Sequence, residues 1–274
     1  MNNNNLLFFN ILEPYFIDNI ITIILSYKGL DFQINTININ VDFYIYGLYL
    51  INEKLYFDSK KIAYFDIYAK KFVDSKIRTD SGGVHHVRGN HIIVCKSSSV
   101  NIYNLNYELE KNIETNFISC RDIEFYEDCM YFLYYKKIMR LNLKNKEIYN
   151  VLTITDNPLN NYFCIYNHEL YLFAGARNEF VVYDINTFHR KSKYQLPKDL
   201  NKYIYSYVDK RVFVTEDYIF LYIVSCILIF YKDFSLFRII DTNSYKCEFA
   251  HAFFVKNNTI FLAQSSNFKI FELF

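Results

Sequence analysis

The sequence predicts an all-β fold, made of one four-strand unit repeated along 274 residues. Three observations predict it. A six-residue segment recurs as IAYFDI at 62–67, VNIYNL at 100–105, IMRLNL at 138–143, FVVYDI at 180–185 and FKIFEL at 268–273, with ILIFYK at 227–232 as a poorer copy. Its fifth position steps by about 38, 38, 42, 47 and 41 residues, a period that belongs to repeat architectures. A second apolar series lies about ten residues ahead of each copy: LYFDS at 55–59, IIVCK at 92–96, MYFLY at 130–134, LYLFA at 170–174, IFLYI at 219–223 and IFLAQ at 260–264. The composition agrees with both. There are 27 Tyr and 27 Phe, which favour strands, and only 6 Gly and 3 Pro, so turns must rely on Asn, Asp, Ser and Lys.

Each unit reads as four strands, a to d. The second series is strand b, near-continuously apolar as expected of a strand covered on both faces. A strand-like stretch precedes it across a polar a–b turn: Asn52-Glu53, Gly89-Asn90, Glu127-Asp128, Asn167-His168, Glu216-Asp217 or Asn257-Asn258. The recurring hexamer is strand c. A more polar segment follows as strand d, for instance 145–152 or 190–196. The run from Tyr218 to Tyr231 is too short to span a bilayer and holds Ser225 and Cys226 at its middle. It reads as two buried strands and a tight turn, with no membrane association expected.

This gradation from buried to solvated strands resembles the blades of a β-propeller, and the repeats resemble degenerate WD40 and kelch repeats. The segment 168–197 resembles a kelch repeat, with small residues at Ala174, Gly175 and Ala176 followed by Val182, Tyr183 and Asp184. The segment 83–105 resembles a WD40 repeat, with His86 upstream and Ile-Tyr-Asn-Leu where that family has Trp-Asp. The chain has no Trp. The resemblance implies one propeller domain over residues 1–274. The column Asp66, Asn104, Asn142, Asp184 resembles the structural Asp of WD40 repeats, which caps backbone amides.

Six b strands are plain. A seventh is expected at Ile20 to Tyr27, followed by a Lys28-Gly29 turn and a c strand from Leu30 to Thr36. The last unit ends at strand c, so Leu6 to Leu12 is expected to supply its d strand. The expected architecture is a seven-bladed propeller of four-stranded antiparallel blades closed by an N-terminal strand. The alternative is six blades plus an N-terminal helix over Pro14 to Tyr27, with a faint F-box likeness and a substrate-adaptor role.

The chemistry is sparse. His85, His86 and His91 lie near Cys95 without metal-ligand spacing. Ser81-Gly82-Gly83 lacks a phosphate-loop frame, and no nucleophile-elbow motif is present. No enzyme, cofactor or metal is expected. The six cysteines are scattered and sit mostly in apolar runs, which predicts free thiols in a reducing compartment: the cytoplasm, with the nucleus as alternative.

Charge is nearly balanced, with 30 Lys and Arg against 29 Asp and Glu, so a general polyanion-coating protein is excluded. Within a propeller, however, the b–c turns share one face and the a–b turns the other. The b–c turns carry Lys28, Lys60, Lys61, Lys96, Lys136, Lys137 and Arg177; the a–b turns carry Glu53, Glu127, Asp128, Glu216 and Asp217. The expectation is a non-catalytic protein–protein interaction scaffold in a larger assembly, with those seven cations as its partner-binding face. An acidic or phosphorylated segment fits that face. RNA or a ribonucleoprotein is the alternative partner, with Tyr44 or Tyr135 stacking on bases.

Overall fold

The computed structural model describes residues 23–27, 30–38, 47–51, 54–58, 61–66, 71–78, 84–88, 90–95, 99–115, 121–154, 161–200, 210–223, 226–241, 252–256, 259–264 and 267–273. Apart from one 3-10 turn at Lys198–Leu200, the elements are all strands. They divide into two compact units, one holding the strands of residues 1–78 and 250–274, the other those of 79–249.

In the larger unit the strands form four consecutive four-stranded antiparallel meanders. Sheet B is β7 (Val84–Arg88), β8 (His91–Cys95), β9 (Ser99–Asn104) and β10 (Leu109–Glu114). Sheet C is β11 (Arg121–Tyr126), β12 (Cys129–Tyr134), β13 (Lys137–Asn142) and β14 (Ile148–Thr153). Sheet D is β15 (Asn161–Tyr166), β16 (Glu169–Ala174), β17 (Glu179–Asp184) and β18 (Arg190–Gln195). Sheet E is β19 (Lys210–Val214), β20 (Tyr218–Ile223), β21 (Cys226–Tyr231) and β22 (Leu236–Asp241). The expected b and c strands thus appear within a residue or two of where the two apolar series place them. The first strands β7, β11, β15 and β19 pack each against the next, so the a strands share one edge of the stack.

Burial follows the expected gradient. Strands β16 and β20 are buried from their second residue on, whereas β14 and β18 are mostly exposed. Three apolar clusters fill the spaces between neighbouring sheets: B with C, C with D, and D with E. Cys95, Cys129, Cys164 and Cys226 are free and buried in them. Burial pushes the Cys226 thiol up to about 12 and the Cys164 thiol well above its ordinary range, so both stay protonated and inert.

The c–d turns are built alike. Asn104 Oδ1 accepts from the amides of Asn106 and Glu108, at 2.9 and 3.0 Å. Asn142 Oδ1 accepts from Lys144 and Asn145, and Asp184 Oδ1 from Asn186 and Thr187. In sheet E, where Tyr231 stands in the column, Asp233 caps Ser235 instead. Each turn then places one non-glycine residue at positive φ: Tyr107 at 67°, Lys146 at 63°, Phe188 at 55° and Phe234 at 64°. The third and fourth strands of each sheet in this unit also carry a register shift, beside this turn in sheets B, D and E and at Ile138/Met139, the other end of the strand, in sheet C.

The capping predicts a pH signature. Backbone and hydroxyl hydrogen bonds from Thr187 hold the Asp184 carboxyl below its ordinary value. A lowered folded pKa gives stability that is present above the unfolded value near 3.8 and is lost as pH falls through the folded pKa. Asn142→Ala and Asp184→Ala are each expected to lower the thermal midpoint at pH 7 by about 2–4 °C, the scale of a lost cap. Below pH 3.8 the deficit of Asp184→Ala should shrink while that of Asn142→Ala persists. Equal deficits at both pH values would show that the carboxylate charge contributes nothing.

The smaller unit holds sheet A and a terminal sheet. Sheet A is β3 (Gly47–Ile51), β4 (Lys54–Asp58), β5 (Lys61–Asp66) and β6 (Lys71–Arg78). The terminal sheet runs in the order β1 (Ile23–Tyr27), β2 (Leu30–Asn38), β25 (Asn267–Leu273), β24 (Thr259–Gln264) and β23 (Ala252–Lys256). The expected hairpin at 28–29 is therefore there, with Tyr27 opposite Leu30. Its place differs from the expectation. β2 pairs with β25 from Phe32↔Leu273 to Asn38↔Asn267, so Leu30–Asn38 occupies the d position of the last unit and β1 adds a fifth strand. Six sheets form among the described residues, and the two strands expected to start a seventh belong to the terminal one. A nine-residue strand offers seven ladder pairs to the otherwise open edge of β25, more than a hairpin standing alone would bury. Of the helix considered over Pro14 to Tyr27, Ile23–Tyr27 is strand, and Pro14 to Thr22 lies outside the described residues. The Leu6 to Leu12 segment lies outside the described residues.

Candidate interaction surface

Antiparallel meanders put the a–b and c–d turns of a sheet at one end and the b–c turn with the end of strand d at the other. Backbone hydrogen bonds tie these turns together. Leu143 donates to the Asp128 carbonyl at 2.9 Å and Ile185 to that of His168 at 3.0 Å, joining c–d to a–b turns. Ile154 donates to Lys136 and Leu196 to Asn178, joining the end of strand d to the b–c turn.

At the b–c end, the turn of sheet C is Tyr135-Lys136, followed by Lys137. All three side chains are exposed, and Tyr135, at 65%, is the most exposed large hydrophobic side chain among the described residues. Its ring meets Tyr134 edge-on, with centroids 4.7 Å apart, and its φ is 50°. A bulky residue at positive φ costs backbone energy that a solvent-facing ring does not return through packing. In sheet D the corresponding turn carries Arg177, whose guanidinium lies 3.6 Å from Glu179. Glu179 is only 4% exposed and also receives Lys193 at 2.7 Å. Arg177 therefore serves a buried carboxylate, which reduces the positive field it adds to the surface. Lys61 opens β5, opposite Arg78. Lys28, Lys60 and Lys96, and the aromatic Tyr44, lie outside the described residues.

Of the five carboxylates expected at the other end, Glu127, Asp128, Glu216 and Asp217 are exposed and Glu53 lies outside the described residues; Asp128 meets a cation from the c–d turn, and two further carboxylates of this end have basic partners. Asp128 meets Lys144 at 2.5 Å, Glu169 meets Lys191 at 2.5 Å, and Glu110 lies 3.1 Å from His91. Hydrogen bonding to Asp128 holds the Lys144 ammonium above its ordinary range. Burial opposes ionisation of Glu169, but the hydrogen bonds from Lys191 and Tyr171 outweigh it and leave the carboxyl below its ordinary value. Lys232 sits 4.4 Å from the Tyr166 ring centroid and 5.1 Å from that of Tyr171. Desolvation there lowers its pKa, and the ring faces compensate part of the lost hydration. Counting a–b turns alone missed these pairs, because the partners come from elsewhere in the same sheet.

His85 and His86 are consecutive in β7, opposite Val94 and Ile93, and His91 turns to Glu110. The Cys95 thiol lies against the Met130 sulfur at 3.8 Å. Among the described residues, no three His, Cys, Asp or Glu side chains gather as a metal site.

One group near the shared edge was invisible in the sequence. Asp122, at φ 42°, sits in a bulge of β11. Its carboxylate accepts the Phe163 amide of β15 at 2.7 Å and faces Arg211 of β19 at 4.0 Å. Burial raises its pKa, while Arg211 and the Phe163 amide pull the other way. It is a clip linking the first strands of three sheets.

No protein-family model and no curated protein sequence matches the chain. Solved structures do. A catalytically inactive virginiamycin B lyase from Staphylococcus aureus, solved with quinupristin, aligns at TM-score 0.64 and 10% identity, over 89% of this chain and all of that one. The WD40 domain of Pan2 from Neurospora crassa aligns at 0.59 and 10% identity, covering 84% of this chain and 89% of the domain. The computationally designed protein Ika8 aligns at 0.57 and 8% identity, covering 85% and 97%. Their breadth shows the fold, a propeller-like array of four-stranded antiparallel sheets; at such identity it shows nothing of activity.

Proposed function

We propose that the chain is a non-catalytic interaction scaffold, a propeller subunit of a larger cytoplasmic assembly, docking a protein partner through the b–c end of its sheets. The carrying observation is the turn of sheet C: an exposed Tyr135 held at positive φ, beside exposed Lys136 and Lys137. Tyrosine is enriched among interface hot spots, and flanking lysines favour an acidic or phosphorylated partner segment. The free, buried cysteines support a reducing compartment. Closure of the propeller by an N-terminal strand belongs to the same proposal, supported by the β2–β25 ladder.

The test is a tagged pull-down from the native source, with wild type beside Tyr135→Ala and Lys136→Glu/Lys137→Glu. Each variant should lower partner recovery at least tenfold, and the charge-reversed pair should act most strongly at low salt. Unchanged recovery in both would refute this surface. Recovery of RNA in place of protein, lost at high salt, would replace the class of partner.

A further inference from the structure

In each sheet of the larger unit the fourth strand is an edge, and one of these edges lacks the protection that the others carry. An open edge presents unpaired backbone N–H and C=O groups, and folded chains guard it with charged side chains or with a bulge. β10 reads LEKNIE, β18 reads RKSKYQ and β22 reads LFRIID, so each carries charge: Glu110, Lys111 and Glu114; Arg190, Lys191 and Lys193; Arg238 and Asp241. β14 reads IYNVLT and carries none.

The bulges single out the same sheet. In sheets B, D and E the residue left out of the ladder is Glu110, Lys191 or Phe237, the second of its strand, so regular pairing breaks just after the c–d turn. In sheet C it is Val151, the fourth, and Ile148, Tyr149 and Asn150 pair without interruption with Leu141, Arg140 and Met139. All three are exposed, Tyr149 at 47% and Ile148 at 36%. The nearest carboxylate, Glu147, accepts from the Asn145 side-chain amide at 2.6 Å and from the Tyr149 hydroxyl. Val151 and Leu152 pack against the apolar cluster between sheets C and D, which holds the strand in place. Among the described residues, no strand pairs with the free side of β14.

We propose that β14 is the contact of a homodimer, in which the β14 strands of two copies pair antiparallel about a two-fold axis and join their sheets C edge to edge. Such an axis sets a strand against itself, so any net charge on the strand meets the same charge. Pairing β18 in this way would set Arg190, Lys191 and Lys193 against the same cations. β14 alone among the four fourth strands brings no charge to the axis. Ile148 and Tyr149, residue types that favour strands, exchange solvent for cross-strand neighbours. With one such edge in the unit, pairing closes at two copies. The proposal does not rest on the b–c surface.

The experiment is sedimentation velocity of the full chain over a concentration series, with amide hydrogen exchange read at both ends of the series. A monomer–dimer equilibrium is expected, with exchange slowed in β14 as the dimer forms and unchanged in β18. Asn150→Lys and Asn150→Glu change an exposed side chain, and each should weaken the dimer at least about fivefold. An equimolar mixture of the two should recover it, because Lys then faces Glu, and recovery also shows that both variants fold. Leu109→Lys places the same charge on the exposed head of β10 and should leave the dimer unchanged. A chain that stays monomeric throughout, or a dimer without slowed exchange in β14, would overturn the proposal. So would a dimer indifferent to both Asn150 substitutions, or species that grow past two copies with concentration. A mixture of the two variants that stays monomeric would overturn the antiparallel two-fold geometry.

Discussion

Phe180→Ala is expected to destabilise the unit formed by sheets B to E by about 3–5 kcal/mol, read as a fall in the urea midpoint. The ring has no exposed surface. It touches Phe173 at 5.1 Å, Phe234 at 5.5 Å and Phe230 at 5.9 Å, so it joins three rings from two sheets. Alanine removes the transfer energy of the ring and leaves a cavity that two hydrogen-bonded sheets cannot collapse into. Phe180→Leu conserves most of the volume and should cost less than about 1.5 kcal/mol. A loss under 1 kcal/mol for Phe180→Ala would mean that the cleft between sheets D and E is not close-packed.

Asp122→Ala is the second large effect, about 2–4 kcal/mol. It strips the buried Phe163 amide of its acceptor and removes the carboxylate 4.0 Å from the Arg211 guanidinium. Asp122→Asn keeps one carbonyl oxygen for the amide and loses the charge, so its deficit should be less than half that of alanine. The pH dependence checks the assignment. Burial raises the carboxyl above its unfolded value of 3.8 in spite of Arg211 and the amide, so the folded chain holds the proton to higher pH than the unfolded chain. Stability from this group therefore falls as pH rises from 3.8 through the folded pKa. That slope should vanish in Asp122→Asn. An unchanged slope would assign the acid response to other carboxylates. Asp122→Ala with no loss at pH 7 would refute the clip.

The strands were legible because their cause is local. Two apolar segments, of five and six residues, in a forty-residue period mark strands b and c wherever they occur, and the long run from Tyr218 to Tyr231 forms the hairpin β20–β21 that its composition predicts. The cap column was legible for the same reason: Asn104, Asn142 and Asp184 bond amides two to four residues away. Of the cationic surface, the exposure of Lys136 and Lys137 was legible from a turn beside two apolar strands. The engagement of Arg177 by Glu179 was not, because it depends on which way a turn folds its side chain over a strand end.

By itself, then, the sequence determined the fold class, the strand order within each unit and the chemistry of the c–d turns, since all three rest on contacts within a few residues. Only the tertiary structure decided where β1 and β2 belong, because their partner β25 lies over two hundred residues away and any open strand edge competes for them. It alone decided that Asp128 and Glu169 are paired, because Lys144 and Lys191 reach them from elsewhere in the same sheet. It alone showed that Phe188 meets Tyr131 and that Phe234 meets Phe180 and Tyr194, since the fit between neighbouring sheets depends on side chains some forty or more residues apart meeting in one space.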